Sequence, residues 1–83
     1  MTDHLFIKKL LYRSKNRGCK ETDLLLGRFA ENHLAQMCWA ELDQYATILD
    51  QTDADIVSWI MGHTEVPNHL RSSMMNKLLQ IKL

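Results

Sequence analysis

The sequence predicts an all-α fold, a small five-helix bundle formed as a single domain over residues 1–83. Three observations carry this. Apolar residues recur at spacings of three and four, and no segment alternates with a period of two. Val and Thr, which favour strands, are few. Glycine and proline are sparse, namely Gly18, Gly27, Gly62 and Pro67.

The first helix is expected to start after Thr2 or Asp3, either of which can cap it. Ile7, Leu10, Leu11 and Ser14 form its inner face, with Phe6 beside them, and Gly18 stops it. The second runs from about Lys20 to Leu34. Its stripe is Leu25, Leu26, Phe29, Ala30 and His33, and Glu21 and Asp23 sit at its positive end. The third covers about Trp39 to Asp50, with Leu42, Tyr45, Ala46 and Leu49 inward. Asp53 is the expected N-cap of a short fourth helix anchored by Ile56, Trp59 and Ile60 and closed by Gly62. Pro67 suits the first turn of the fifth, where Leu70, Met74, Leu78 and Ile81 recur. The connections are short, so neighbouring helices are expected to pack together.

Length and composition exclude much. A chain of 83 residues has no room for a dinucleotide domain with its own substrate site. Cys19 and Cys38 make neither a disulfide framework nor a CxxC pair, and they fit free thiols in a reducing compartment. The four histidines lack metal-ligand spacing, and there is no GxSxG elbow and no Gly-rich phosphate loop. No apolar run approaches the roughly 20 residues of a membrane span. No targeting segment is read at the start, so a bacterial cytoplasmic protein, not inserted in a membrane, is expected.

The net charge is zero, but its distribution is uneven. Residues 1–30 are mainly basic, residues 31–69 hold acids and neither Lys nor Arg, and residues 70–83 are basic again. Two readings stand side by side: a polar surface that steers a partner, and mutual neutralisation between packed helices. A small helical nucleic-acid-binding or regulatory protein is the alternative function class. Against DNA binding, the helix after the first turn starts acidic at Glu21 and Asp23, and the acidic middle opposes a polyphosphate.

The segment Arg17-Gly18-Cys19-Lys20-Glu21 also has two readings. In one, Gly18 ends a helix, Glu21 starts the next, and Arg17 pairs with Glu21 across the bend. In the other, the bend presents an Arg fork and a carboxylate to a partner.

Here the chain resembles a known family. Arg17-Gly18-x-x-Glu21 is similar to the RGxxE signature of the SdhE FAD assembly factors. Leu11-Tyr12-Arg13-Ser14 before it and Asp23-Leu24-Leu25-Leu26-Gly27-Arg28-Phe29-Ala30 after it resemble the alphaproteobacterial branch. Ile48-Leu49-Asp50, Asp53-Ala54-Asp55-Ile56, Trp59-Ile60-Met61-Gly62 and Pro67 follow in that family's order. The likeness covers about Leu10 to Leu79, while Asn16, Cys19, Thr22 and Ala54 depart from the branch's usual residues.

The resemblance implies a five-helix, chaperone-like binding protein that is not an enzyme. It implies binding to the flavoprotein subunit of succinate dehydrogenase, and in some bacteria that of fumarate reductase, with covalent attachment of FAD promoted there. The FAD belongs to the client, so no cofactor, catalytic residue or metal is expected in this chain. Arg17, Gly18 and Glu21 are the implied client-binding residues. Arg13, Lys20 and Asp23 flank them, and Trp59 is a further candidate whose helical spacing also suits the core.

Overall fold

Helices form where the chain gives their exposed N–H and C=O groups partners and their apolar stripes something to cover. In the computed structural model, which describes residues 4–81, this happens five times. Helix α1 is His4–Lys15, α2 is Lys20–His33, α3 is Trp39–Leu49, α4 is Asp53–Ile60 and α5 is Ser73–Leu79. Two 3₁₀ turns join them, Leu34–Gln36 after α2 and Asn68–Leu70 before α5. The expected caps Thr2 and Asp3 lie outside the described residues.

All five helices contribute to one core. Leu10 of α1, Leu26 and Phe29 of α2, Leu42, Tyr45 and Ile48 of α3, Ile56 and Trp59 of α4, and Met74, Met75 and Leu78 of α5 are buried together. These match the predicted stripes, with Ile48 and Met75 added. Burial of such apolar side chains supplies the main driving force, at about 1.5–3 kcal/mol each. Helix α1 packs chiefly on α2, and α5 lies against both α3 and α4.

One buried polar contact crosses this core. Ser14 Oγ donates to the carbonyl of Leu10 at 2.8 Å, so its lone pairs face Tyr45, whose hydroxyl lies 2.5 Å away and donates to it. Burial raises the Tyr45 pKa to about 12.

Several local expectations change. His33 is exposed, although its ring still lies 4.7 Å from that of Phe29. Asp53 does not cap α4. Thr52 does, in extended conformation, accepting the Asp55 N–H at 3.1 Å. Pro67 starts a 3₁₀ turn rather than a helix, and α5 begins after Ser72, whose hydroxyl accepts the Met75 N–H. The fifth helix is therefore shorter than its apolar spacing suggests. Leu70 packs from the turn before it, and Ile81 lies beyond its end.

Candidate functional site

The bend between α1 and α2 needs two conformations that a helix cannot supply. Gly18 has φ +93°, in the left-handed region that side chains disfavour. Cys19 is extended and heads α2. An added Cβ at Gly18 would meet nothing within 4 Å, so conformation rather than crowding calls for glycine here. The Arg17 N–H donates to Asp23 Oδ1 at 2.7 Å, tying the bend to the first turn of α2. The Cys19 thiol is held below its ordinary pKa chiefly by the backbone N–H of Thr22.

The Arg17 side chain turns inward. Its Nε donates to the Asp53 carboxylate. Its Nη1 donates to the Leu49 carbonyl at 2.7 Å and its Nη2 to that of Gln51 at 2.6 Å. A helix leaves its last carbonyls unpaired at the negative end of its dipole, and a guanidinium suits both. Arg17 therefore serves the C-terminus of α3 and the N-terminus of α4 at once. Its side chain is only 12% exposed. Of the two readings of this segment, the Arg17–Glu21 pair does not form, since Asp53 holds the fork and Glu21 makes no ion pair among the described residues, and the fork that the other reading presents to a partner is turned inward instead.

The remaining candidates separate by exposure. Lys20 and Glu21 are exposed on the first turn of α2. Asp23 is partly buried and engaged by the Arg17 backbone. Arg13 reaches Asp50 at 2.6 Å in an exposed pair, a type that contributes about 0–1 kcal/mol. Trp59 is 7% exposed and belongs to the core, so it offers a partner little surface. Tyr12, Arg13, Asn16 and Thr52 line an open depression of about 370 Å³, with Arg17 and Asp53 in its wall.

Two exposed apolar residues beside the bend were not singled out from sequence: Tyr12, 69% exposed, and Leu24, 53% exposed. The signal for Leu24 was present. Three successive leucines, 24 to 26, span 200° of a helix at 100° per residue, too wide for one buried stripe. Leu24 also lines an apolar groove with Leu25, Arg28, Phe29 and Ile81.

Among the described residues, no three His, Cys, Asp or Glu side chains gather to hold a metal. None of the described helices is long and apolar enough to cross a membrane.

Comparison with known proteins adds the following. A family model described as flavinator of succinate dehydrogenase matches residues 8–82. A protein of Dictyostelium discoideum named succinate dehydrogenase assembly factor 2, mitochondrial, is 44% identical over 73 residues, covering 88% of this chain and 51% of its own length. Its namesake in Lodderomyces elongisporus is 44% identical over 75 residues, covering 87% and 46%. That of Schizosaccharomyces pombe is 37% identical over 78 residues, covering 94% and 56%. The chain thus spans about half the length of these curated relatives. The expectation of a bacterial cytoplasmic location is overturned, because all three are named mitochondrial. The start of an 83-residue chain that matches half of its relatives carries no information about targeting.

Proposed function

The chain belongs to the family of flavinators of succinate dehydrogenase, and on that premise we propose that it is an assembly factor for the flavoprotein subunit of that enzyme. It binds the subunit and promotes covalent attachment of FAD there. The flavoprotein of fumarate reductase, which the resemblance brings with it, is a second client of the same class. FAD and the residue it joins belong to the client, and this chain contributes no reacting group.

One observation carries the reading. The RGxxE bend is anchored from within by Arg17 and carries on its outer side the exposed carboxylate of Glu21, which has no partner among the described residues. Bond formation is faster when the reacting groups are held near attack geometry. A partner favours that arrangement only by binding it more tightly than the alternatives. A pre-shaped bend with a charged group loses little conformational freedom on docking, which suits it to that task. The nucleic-acid alternative is not favoured, since the same turn presents an acid and several of the basic side chains are paired with acids.

The test is in-gel flavin fluorescence of the denatured flavoprotein subunit in cells lacking this gene, rescued with wild type or Glu21→Ala. The Glu21 side chain makes no hydrogen bond or ion pair among the described residues, so Glu21→Ala should fold normally. Loss of at least about tenfold of the rescue, ~1.4 kcal/mol if it reflects binding, is expected. Full rescue by Glu21→Ala would remove Glu21 from the working surface. Unchanged fluorescence in the deletion strain would defeat the function itself.

A further inference from the structure

We infer that Asp53 is a positioning residue for client binding: it seats the Arg17 guanidinium and thereby holds the Gly18–Glu21 bend in one shape. This rests on the client-binding role proposed above and assigns work to a residue outside the RGxxE segment.

Arg17 is poorly placed to be a contact residue. Three guanidinium donors are already engaged, on Asp53, Leu49 O and Gln51 O, and little of the side chain reaches solvent. It is well placed to be an anchor. Its backbone N–H is fixed by Asp23 on one side of the bend, while its side chain reaches across to the α3–α4 corner. The next residue is Gly18, whose surroundings leave open space where a side chain would be. Packing therefore does not lock Gly18, and bonds made on either side of it must. Asp53 is available because Thr52 caps α4 in its place. Of the three acceptors that Arg17 uses, Asp53 supplies the only charge. Losing it leaves a mostly buried cation with neutral carbonyls alone, a costly arrangement. Lysine cannot replace Arg17 here, since a single ammonium cannot reach three divergent acceptors with the fixed geometry of a fork.

The experiment measures binding of the full chain to the FAD-free flavoprotein subunit of succinate dehydrogenase, with amide hydrogen exchange on the unbound chain alongside. Asp53→Ala should weaken binding about tenfold and speed exchange at Cys19, Lys20 and Glu21 while α5 keeps its protection. Asp55→Ala removes an equal charge from the same helix turn and should change both by less than about twofold. In an Arg17→Ala background, Asp53→Ala should cause no further loss, because Asp53 acts only through Arg17. Independent, additive losses would overturn the inference, as would wild-type binding and exchange in Asp53→Ala. If Asp53→Ala does not fold, Asp53→Asn, which keeps an acceptor but not the charge, takes its place in every comparison. Failure of the wild-type chain to bind the flavoprotein subunit would instead sink the proposed function. The exchange comparison needs no client and then decides the anchoring by itself.

Discussion

Tyr45 is buried with its hydroxyl against Ser14, 2.5 Å away. The neutral phenol suits that site, whereas a phenolate would face the loss of its proton with little water near it. Its pKa accordingly stands at about 12 in the folded chain, against about 10 when unfolded. Between these values the unfolded chain has released a proton that the folded chain retains, so stability falls as pH rises. The slope approaches about 1.4 kcal/mol per pH unit within that window and vanishes below it. Tyr45→Phe should cost about 1 kcal/mol near pH 8, since a buried hydrogen bond is lost. In return it should flatten the alkaline decline. Urea titrations at about pH 8 and about pH 11 measure both quantities. An equal alkaline decline in wild type and Tyr45→Phe would show that other groups govern it.

Helix α4 shows how a local rule can select the wrong neighbour. Thr52 and Asp53 are both competent caps, and the sequence-local preference for Asp at that position is sound. Arg17, 36 positions earlier, takes the Asp53 carboxylate, and Thr52 is left to cap. Pairings between distant residues do not appear in helical spacing, which is why the Arg17–Asp53 link was illegible while the helices themselves were plain. Inner faces such as Leu25-Leu26-Phe29-Ala30 follow from period alone and are buried as expected. Pro67 shows a smaller version of the same limit, because a proline that can open a helix can equally open a 3₁₀ turn. Likewise RGxxE marks which residues lie at the bend but not that its arginine turns inward. Thr52→Ala should cost about 1 kcal/mol, read as a lower denaturation midpoint with an unchanged m-value. Were Asp53 able to serve as the cap, the substitution would be nearly neutral.

Across the whole molecule, the uneven charge distribution is partly spent and partly kept. Arg13–Asp50, Arg17–Asp53 and Lys77–Glu41 each join a basic terminal segment to the acidic middle, so neutralisation between packed helices does occur. Lys8, Lys9, Lys20 and Arg28 are exposed and make no ion pair among the described residues, and all four lie on α1 and α2. Asp43, Asp55 and Glu65 remain similarly unpaired on the later part of the chain. Helices α1 and α2 therefore keep unpaired positive charge, with Lys20 beside the Glu21 carboxylate at the bend and Lys8, Lys9 and Arg28 well away from it along the two helices, and this charge can steer the proposed client by a negative face of that client. Such steering acts over a Debye length, roughly 30 Å at 0.01 M salt and 8 Å at 0.15 M. The association rate with the FAD-free flavoprotein subunit should therefore fall several-fold over that range, while the dissociation rate changes little. Reversing charge in Lys8→Glu with Arg28→Glu should lower the rate at low salt and flatten its salt dependence. Stopped-flow association at graded salt reads both effects. An association rate that is flat with salt in the wild-type chain would assign the unpaired lysines and Arg28 to solubility alone.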